Sequence, residues 1–534
     1  MFSSINDPSS WALPVVLEEM AQRYPDKVWL TTIEGDQATF SDMARDARKL
    51  ASYFASQGVQ PGDAVGLWMF NSCDFVRAWL ALGYLGAISV MLNTELSGSF
   101  LTHQLNDSGV KIIVVDPSLV PRLKDVSSDV KHVDTLIPVG EAGIGNIPFD
   151  CIAWSTWRNA SPYEANLAQA SAIASIMYTS GTSGPSKGVL MPHAHCFLYG
   201  VGTIKSLELT SEDAYYITLP LFHANGLFMQ LGATLIAGIP AVLRAKFSAS
   251  AWLADIRQSQ ATVTNLIGAT ASFVTSQPPT ALDSQHRLRA IMNAPNVPDH
   301  EAVFRSRFGV KDIVSGFGMT ECNIPAWGRL GEMAENKAGW VHNEHFEVTI
   351  VNPNTDVPVP YGELGEIVVR PKIANGFMAG YHNLPTKTVE AWRNLWFHTG
   401  DAGTITENGL LTYVDRIKDC IRRRGENISA TEIEQAVNTV EGIAEVAAYA
   451  VPADLPGAED EVMLALVLQP ACVRALGDIE KQIHDVLPRF ARPKYLRLMD
   501  ELPKTATGKI QRATLRNEGA LAAAITVNQE NQHG

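Results

Sequence analysis

Over roughly the first 400 residues, segments with helical spacing alternate with short uninterrupted apolar runs, and this alternation constrains the fold more than any other feature. Residues 41–57 place Met43, Ala44, Ala47, Leu50, Ala51 and Phe54 at helical spacing, with Ser41 as the expected N-cap and Gly58 as the stop. Residues 64–69 and 112–115 carry no charged side chain, the pattern of strands buried on both faces. Strands of that kind need helical crossovers, so the expected body is α/β, with stacked sheets and flanking helices. Two longer uncharged stretches fit the same core. Residues 78–94, with Gly83 and Gly86, read as helix, turn and buried strand. Residues 215–243 are broken by Pro220, Gly226, Gly232, Gly238 and Pro240, interruptions that a membrane-spanning helix tolerates poorly.

From Phe346 the pattern changes to shorter β-like runs at residues 346–351, 365–369 and 410–414, and Asn408-Gly409 is a hairpin signal. After Asp415 the chain reads as a separate unit. Ser429-Ala430-Thr431-Glu432 fits a capping box that opens a helix, β runs follow at 444–451 and 462–468, and a helix follows at 476–487. The expected division is a large N-terminal domain over 1–415 and a small, mobile α+β C-terminal domain over 416–534.

Composition removes whole classes of function. The chain has 534 residues, 46% of them hydrophobic and 18% charged, which excludes disorder as its main state. With 42 basic and 56 acidic residues the net charge is −14, unfavourable for a nucleic-acid partner. The six cysteines, Cys73, Cys151, Cys196, Cys322, Cys420 and Cys472, are scattered without metal-ligand spacing and are expected as buried free thiols. No basic start followed by an apolar run suggests a secretory leader, so a cytoplasmic protein is expected.

The densest chemical signal is Tyr178-Thr179-Ser180-Gly181-Thr182-Ser183-Gly184-Pro185-Ser186-Lys187-Gly188. Glycines let backbone N–H groups approach an anion, hydroxyls add donors, and Lys187 adds a full charge, so the segment reads as a polyphosphate loop. A flexible linker is the competing reading. It is not a Walker A loop, because Lys187 precedes Gly188 rather than Ser or Thr. In Gly316-Phe317-Gly318-Met319-Thr320-Glu321 the glycines permit a tight turn against a flat ligand and Phe317 can stack on a base. Thr320 can place a hydroxyl near a phosphate, and Glu321 a carboxylate on Mg²⁺. Trp396-Phe397-His398-Thr399-Gly400-Asp401 reads as a turn whose carboxylate can accept both hydroxyls of a ribose. A lysine-bearing small-residue loop, Lys504-Thr505-Ala506-Thr507-Gly508-Lys509, lies near the C-terminus.

Together and in this order these segments resemble the adenylate-forming superfamily of acyl-CoA synthetases, luciferases and peptide-synthetase adenylation domains. The resemblance runs from about residue 10 to about residue 518. It implies a large N-terminal domain and a small C-terminal domain that rotates over it. It also implies that residues 179–184 and Lys187 hold the β- and γ-phosphates of ATP. Ala294, Pro295 and Gly316–Met319 would bind adenine, Thr320 the α-phosphate, and Asp401 and Arg416 the ribose. Glu321 would be the Mg²⁺ ligand, Lys418 the hinge, and Lys509 the bridge between acid carboxylate and α-phosphate. Gly425 would lie near the CoA channel. His223, within Leu221-Phe222-His223-Ala224-Asn225-Gly226, resembles the histidine that lines and gates the acid pocket, with Phe222, Asn225 and Asn293 beside it.

The implied activity is an AMP-forming acid–CoA ligase with ATP, Mg²⁺ and CoA, nearest in look to medium-chain, aryl and carnitine/crotonobetaine-type ligases. Without a tryptophan in Phe317-Gly318-Met319, room for more than an acetyl group is expected. A quaternary-ammonium acid would call for an aromatic cage, for which Trp327 and Trp340 are candidates. Arg422, Arg423, Arg489, Arg492 and Lys494 are candidate cations for CoA or plain surface charge. Acyl transfer to a carrier-protein thiol, a luciferase-like oxidase and a nucleotide-binding regulatory protein are the alternatives. The sequence is compatible with a homo-oligomer and does not define the acid.

Overall fold

The structure is a computed structural model. It describes residues 1–140, 145–164, 168–179, 185–294, 296, 298–332, 337–416, 420–423, 426–453, 459–469, 475–503, 510, 512–517 and 525–526.

Among the described residues, three sheets build the body. The first runs in the order Asp312–Val314, Ala290–Ala294, Val263–Ile267, Tyr215–Ile217, Ala241–Leu243, Val28–Thr32, Gln37–Thr39, parallel except at its last pair. The second is parallel from Ile173–Thr179 through Ile88–Met91, Ala64–Trp68, Ile112–Val115 and Thr135–Pro138 to Asp150–Cys151. Antiparallel strands Lys187–Pro192 and Gly380–Tyr381 extend its other side. One apolar cluster, with Val189, Met191, Ala290 and Met292 in it, joins these two sheets through the helix His193–Leu207. The third sheet is antiparallel, in the order Gly316–Met319, Asn323–Trp327, Gly339–Val341, Leu410–Arg416, Phe397–Ile405, Gly365–Pro371, Phe346–Val351.

Beyond Arg416 a two-stranded ribbon, Cys420–Arg423 with Glu426–Ser429, precedes the helix Ala430–Val437. A four-stranded sheet follows, made of Ile443–Val451, Glu461–Leu468, Tyr495–Leu498 and Ile525–Thr526. This unit packs on the body. Ile421, Ile428, Ile433 and Leu496 share one apolar cluster with Leu96, Phe100 and Ile113, and the Phe490 ring meets Phe100 edge-on at 5–7 Å spacing typical of aromatic pairs, 6.4 Å here. No helix among the described residues is long and apolar enough to cross a membrane.

Several local expectations change. The helix expected from Ser41 begins at Phe40, capped by Thr39, because Thr39 and Asp42 form a reciprocal capping box. Glu432, expected in a capping box, also serves the unit boundary, where its carboxylate accepts from the Ser186 backbone N–H. Gly316–Met319 is a strand rather than a turn. Gly318 is required there because a Cβ would stand 2.4 Å from the Asn323 carbonyl oxygen of the facing strand. Asp401 also lies in a strand, Phe397–Ile405, next to a register shift at which Gly400 adopts φ 72°. Cys73, Cys196 and Cys322 are buried free thiols as expected, whereas Cys151 is exposed on its edge strand.

Of the candidate cage residues and CoA cations, Trp327, Trp340, Arg423 and Arg492 have partners within the fold. The Trp327 ring fills the space over Gly202 and lies 4.4 Å from the His342 ring, while Arg329 already covers Trp340 at 5.0 Å. Arg423 is buried, ion-paired to Glu461 and bonded to the Phe490 and Arg492 carbonyls, and Arg492 caps the His484 carbonyl.

Candidate active site

The hydroxyl-rich loop joins the C-terminal end of Ile173–Thr179 to Lys187–Pro192, with Thr179 paired to Lys187. Ligands of parallel sheets gather at such strand ends. Ser180, Gly181, Thr182, Ser183 and Gly184 lie outside the described residues, so the site is read from the loop's anchors. The Thr179 hydroxyl donates to Glu321 Oε1 at 3.2 Å, and the Tyr381 hydroxyl donates to the same oxygen at 3.0 Å. Lys187 Nζ stands 3.9 Å from the centroid of the Tyr381 ring. Four side chains from different parts of the sequence therefore meet where the second sheet touches the third.

Burying the Glu321 carboxylate is costly unless its oxygens find donors or a cation. Both hydroxyls converge on Oε1, which leaves Oε2 without a hydrogen-bond partner among the described residues. No group of three or more His, Cys, Asp or Glu side chains is assembled for a metal among the described residues. A lone carboxylate beside a phosphate loop fits Mg²⁺, which takes few protein carboxylates and completes its shell with phosphate oxygens and water.

The segment before Glu321 is fixed from behind. His195 Nε2 donates to the Thr320 carbonyl at 2.9 Å, and the Tyr199 hydroxyl donates to the Met319 carbonyl at 2.8 Å. Burial holds the His195 pKa down at about 4, so the ring carries one proton. Nδ1 lies 3.2 Å from both Asn323 Nδ2 and the Gly376 carbonyl oxygen. Thr320 is thus positioned through its backbone, leaving its hydroxyl out of this network. Phe317 stacks on Tyr413 with centroids 6.2 Å apart. Asp401 pairs in register with Arg416, which makes them cross-strand neighbours, and its backbone N–H donates to the Thr399 hydroxyl. Ala294 ends its strand beside Ile267. Pro295, Lys418, Gly425 and Lys509 lie outside the described residues, as does the side chain of Arg416.

A second focus lies where the small unit meets the body. His223 Nε2 is 2.9 Å from Glu426 Oε1, and Asn93 Nδ2 donates to that oxygen at 3.0 Å. These groups line a cavity of about 50 Å³ together with Phe222, Tyr178, Ser186 and Glu432. Burial disfavours the His223 imidazolium, but the charge and hydrogen bond of Glu426 outweigh it and raise the pKa above the ordinary 6.5. Burial raises the Glu432 carboxyl. Asn225, two residues on, opens the π-helix Asn225–Gly232. Asn293 departs from the expected grouping: along its strand Met292 joins the inter-sheet core, while Ile291 joins the opposite face with Leu266. Strand alternation puts Asn293 on that opposite face, away from Asn265 and Asn225.

Sequence reading missed Tyr381, His195, Tyr199, Asn93 and Glu426. Each acts through a contact 60 or more positions distant or across the two units, and no local spacing marks them.

The model for "AMP-binding enzyme" matches residues 17–382, and that for "AMP-binding enzyme C-terminal domain" matches residues 432–509. The chain belongs to this family of adenylate-forming enzymes. It is 27% identical over 93% of its length to crotonobetaine/carnitine–CoA ligase of Salmonella paratyphi B, covering 98% of that protein. It is 28% identical over 95% of its length to long-chain fatty acid transport protein 1 of Bos taurus, covering 82% of it. Among solved structures it is similar to a double mutant of o-succinylbenzoate CoA synthetase from Bacillus subtilis bound with a product analogue, with TM-score 0.79 and 25% identity over 95% of this chain and 98% of that one. Amide bond synthetase from Marinactinospora thermotolerans shares the fold at TM-score 0.81, with 22% identity over 96% and 99% of the chains.

Proposed function

We propose that the protein is an ATP-dependent acid–CoA ligase that first forms acyl-AMP and pyrophosphate and then transfers the acyl group to CoA. The observation that carries this reading is the convergence of Thr179, Tyr381 and Lys187 around the buried Glu321 carboxylate. A carboxylate cannot acylate a thiol directly, because oxide would have to leave. Attack of its oxygen on the α-phosphorus of ATP replaces that leaving group with AMP. Two anions must approach, so placed positive charge is the main demand on the site. Residues 179–184 and Lys187 hold the β- and γ-phosphates, Gly316–Met319 with Ala294 and Pro295 hold adenine, and Thr320 meets the α-phosphate. Asp401 and Arg416 take the ribose, and their paired register supports that role. Glu321 holds Mg²⁺, whose charge offsets that of the phosphates when it is bound. Lys509 supplies the charge at the attacking carboxylate. Lys418 is the hinge between residues 1–415 and 416–534, about which the small unit turns to bring Gly425 to the thiol. The cytosol, where both ATP and CoA are at hand, is the proposed compartment, in keeping with the buried free thiols.

The test is a panel of carboxylic acids with ATP and Mg²⁺, each with and without CoA. The expected products are acid-dependent pyrophosphate, AMP and an acyl-CoA. Pyrophosphate without any thioester to CoA would redirect the second step to another acceptor, and no acid-dependent pyrophosphate at all would defeat the reading.

His223 and Glu426 make closure pH-dependent. His223 has its pKa raised by the pairing, so the contribution to the closed arrangement is full below 6.5 and is lost as pH rises through the raised value. A fluorescent donor on the body and an acceptor on the small unit should report a closed fraction that falls above pH 6.5 in the wild type. Glu426→Gln should flatten that profile, and an unchanged profile in the variant would show that the pair does not govern closure.

A further inference from the structure

The core behind His223 contains a hydrogen-bond chain of fixed polarity that neither the nucleotide site nor the unit boundary uses. Asn225 Oδ1 accepts from Asn265 Nδ2 at 2.8 Å and from Gln230 Nε2 at 3.1 Å, and Asn265 Oδ1 accepts from the Tyr215 hydroxyl. Tyr215, Gln230 and Asn265 are fully buried, and Asn225 is the one member with access to the outside. Amide orientation decides what this chain presents. Burial holds the Tyr215 phenol far above its ordinary pKa, so it keeps its proton and must donate it. Its partner is Asn265. Turning that amide over would set N–H₂ against the phenol and strand a proton in the core. Asn265 therefore shows its oxygen to Tyr215 and its N–H₂ to Asn225. Asn225 Oδ1 is then occupied by two donors, and its Nδ2 points away from both, without a partner among the described residues.

The π-helix Asn225–Gly232 holds this geometry in place. It packs on the helix His193–Leu207, whose His195 and Tyr199 fix the Thr320 and Met319 carbonyls. A Cβ on the adjoining Gly226 would stand 2.3 Å from the Pro220 carbonyl oxygen, so the approach of Asn225 leaves no slack. The presented amide belongs to a residue two positions from His223, which lines the cavity at the unit boundary.

We propose that Asn225, oriented by Asn265, Gln230 and Tyr215, selects carboxylic acids whose tail carries an oxygen acceptor, such as a ketone, hydroxyl, ether or second carboxylate. This rests on the acid–CoA ligase reading above. A plain hydrocarbon tail would cover the Asn225 N–H₂ and leave it unbonded, and a tail ammonium would face it donor to donor. Sites built to bond a polar group discriminate strongly against analogues that lack it.

The experiment measures kcat/KM for pyrophosphate release with heptanoate and its oxo isomers, with benzoate and its acetyl isomers, and with the tail-amino analogue of each. At least one acceptor-bearing acid should exceed its hydrocarbon parent by about 10-fold or more, with the amino analogue poorest. Asn225→Leu should bring the ratio of the preferred acid to its parent close to one. Tyr215→Phe, which frees Asn265 to turn over, should lower the same ratio and improve the amino analogue relative to the ketone. These ratios do not depend on how much variant protein folds. A wild-type ratio near one, or a ratio unchanged in Asn225→Leu, would overturn the proposal while leaving the ligase reading intact. Absence of pyrophosphate with every acid would overturn both.

Discussion

Glu321→Gln is expected to cut acid-dependent pyrophosphate release by about 100- to 1,000-fold, the range seen when a placed charge is removed from a phosphate-handling site. The change is nearly isosteric. The amide oxygen can still accept from Thr179 and Tyr381, so the junction between the second and third sheets should hold and thermal stability should change little. What disappears is the negative charge, and with it the attraction for Mg²⁺. The Mg²⁺ concentration for half-maximal rate should therefore rise. Pyrophosphate release within about threefold of wild type would remove Glu321 from the site, because such a factor is below one kcal/mol.

Lys509→Ala is expected to separate the two half-reactions. Adenylation, followed as acid-dependent exchange of pyrophosphate into ATP, should fall by about 1,000-fold, since the attacking carboxylate and the α-phosphate would meet without a bridging cation. Thioester formation from synthetic acyl-AMP and CoA should stay within a few-fold of wild type, because on the proposed scheme that step follows the departure of pyrophosphate and would use the other face of the small unit. Equal losses in both assays would mean that Lys509 serves the fold or binding in general. Exchange at the wild-type rate would show that the lysine plays no part in the first step.

Much of the fold was legible because it is written in local periodicity. The runs at 64–69, 112–115, 346–351 and 410–414 became strands, and the uncharged stretch at 78–94 became the helix Cys73–Leu85, the left-handed Gly86 and the strand Ile88–Met91. Misreadings came where a local pattern has two physical uses. Glycines at 316 and 318 serve a turn equally well as a strand that must lie flat against its neighbour, and only the Asn323 carbonyl decides between them. At the site, Glu321 and Thr179 stood out by residue type and spacing. Tyr381 did not, since a tyrosine in a short strand carries no mark of the carboxylate it will meet. The Asn225–Asn265–Gln230 chain was equally silent, because its meaning lies in which amide end faces which, a property of packing.

The greasy contact of Phe490 with Phe100, and of Ile421, Ile428 and Ile433 with the body's Leu96 and Ile113, has a thermal consequence. Apolar surface that leaves water on closure makes the closing step release heat capacity. The balance between open and closed forms must then bend with temperature, and cooling weakens the drive to close. Such an enzyme would owe part of its turnover curve in the cold to the solvation of an interface remote from the chemistry.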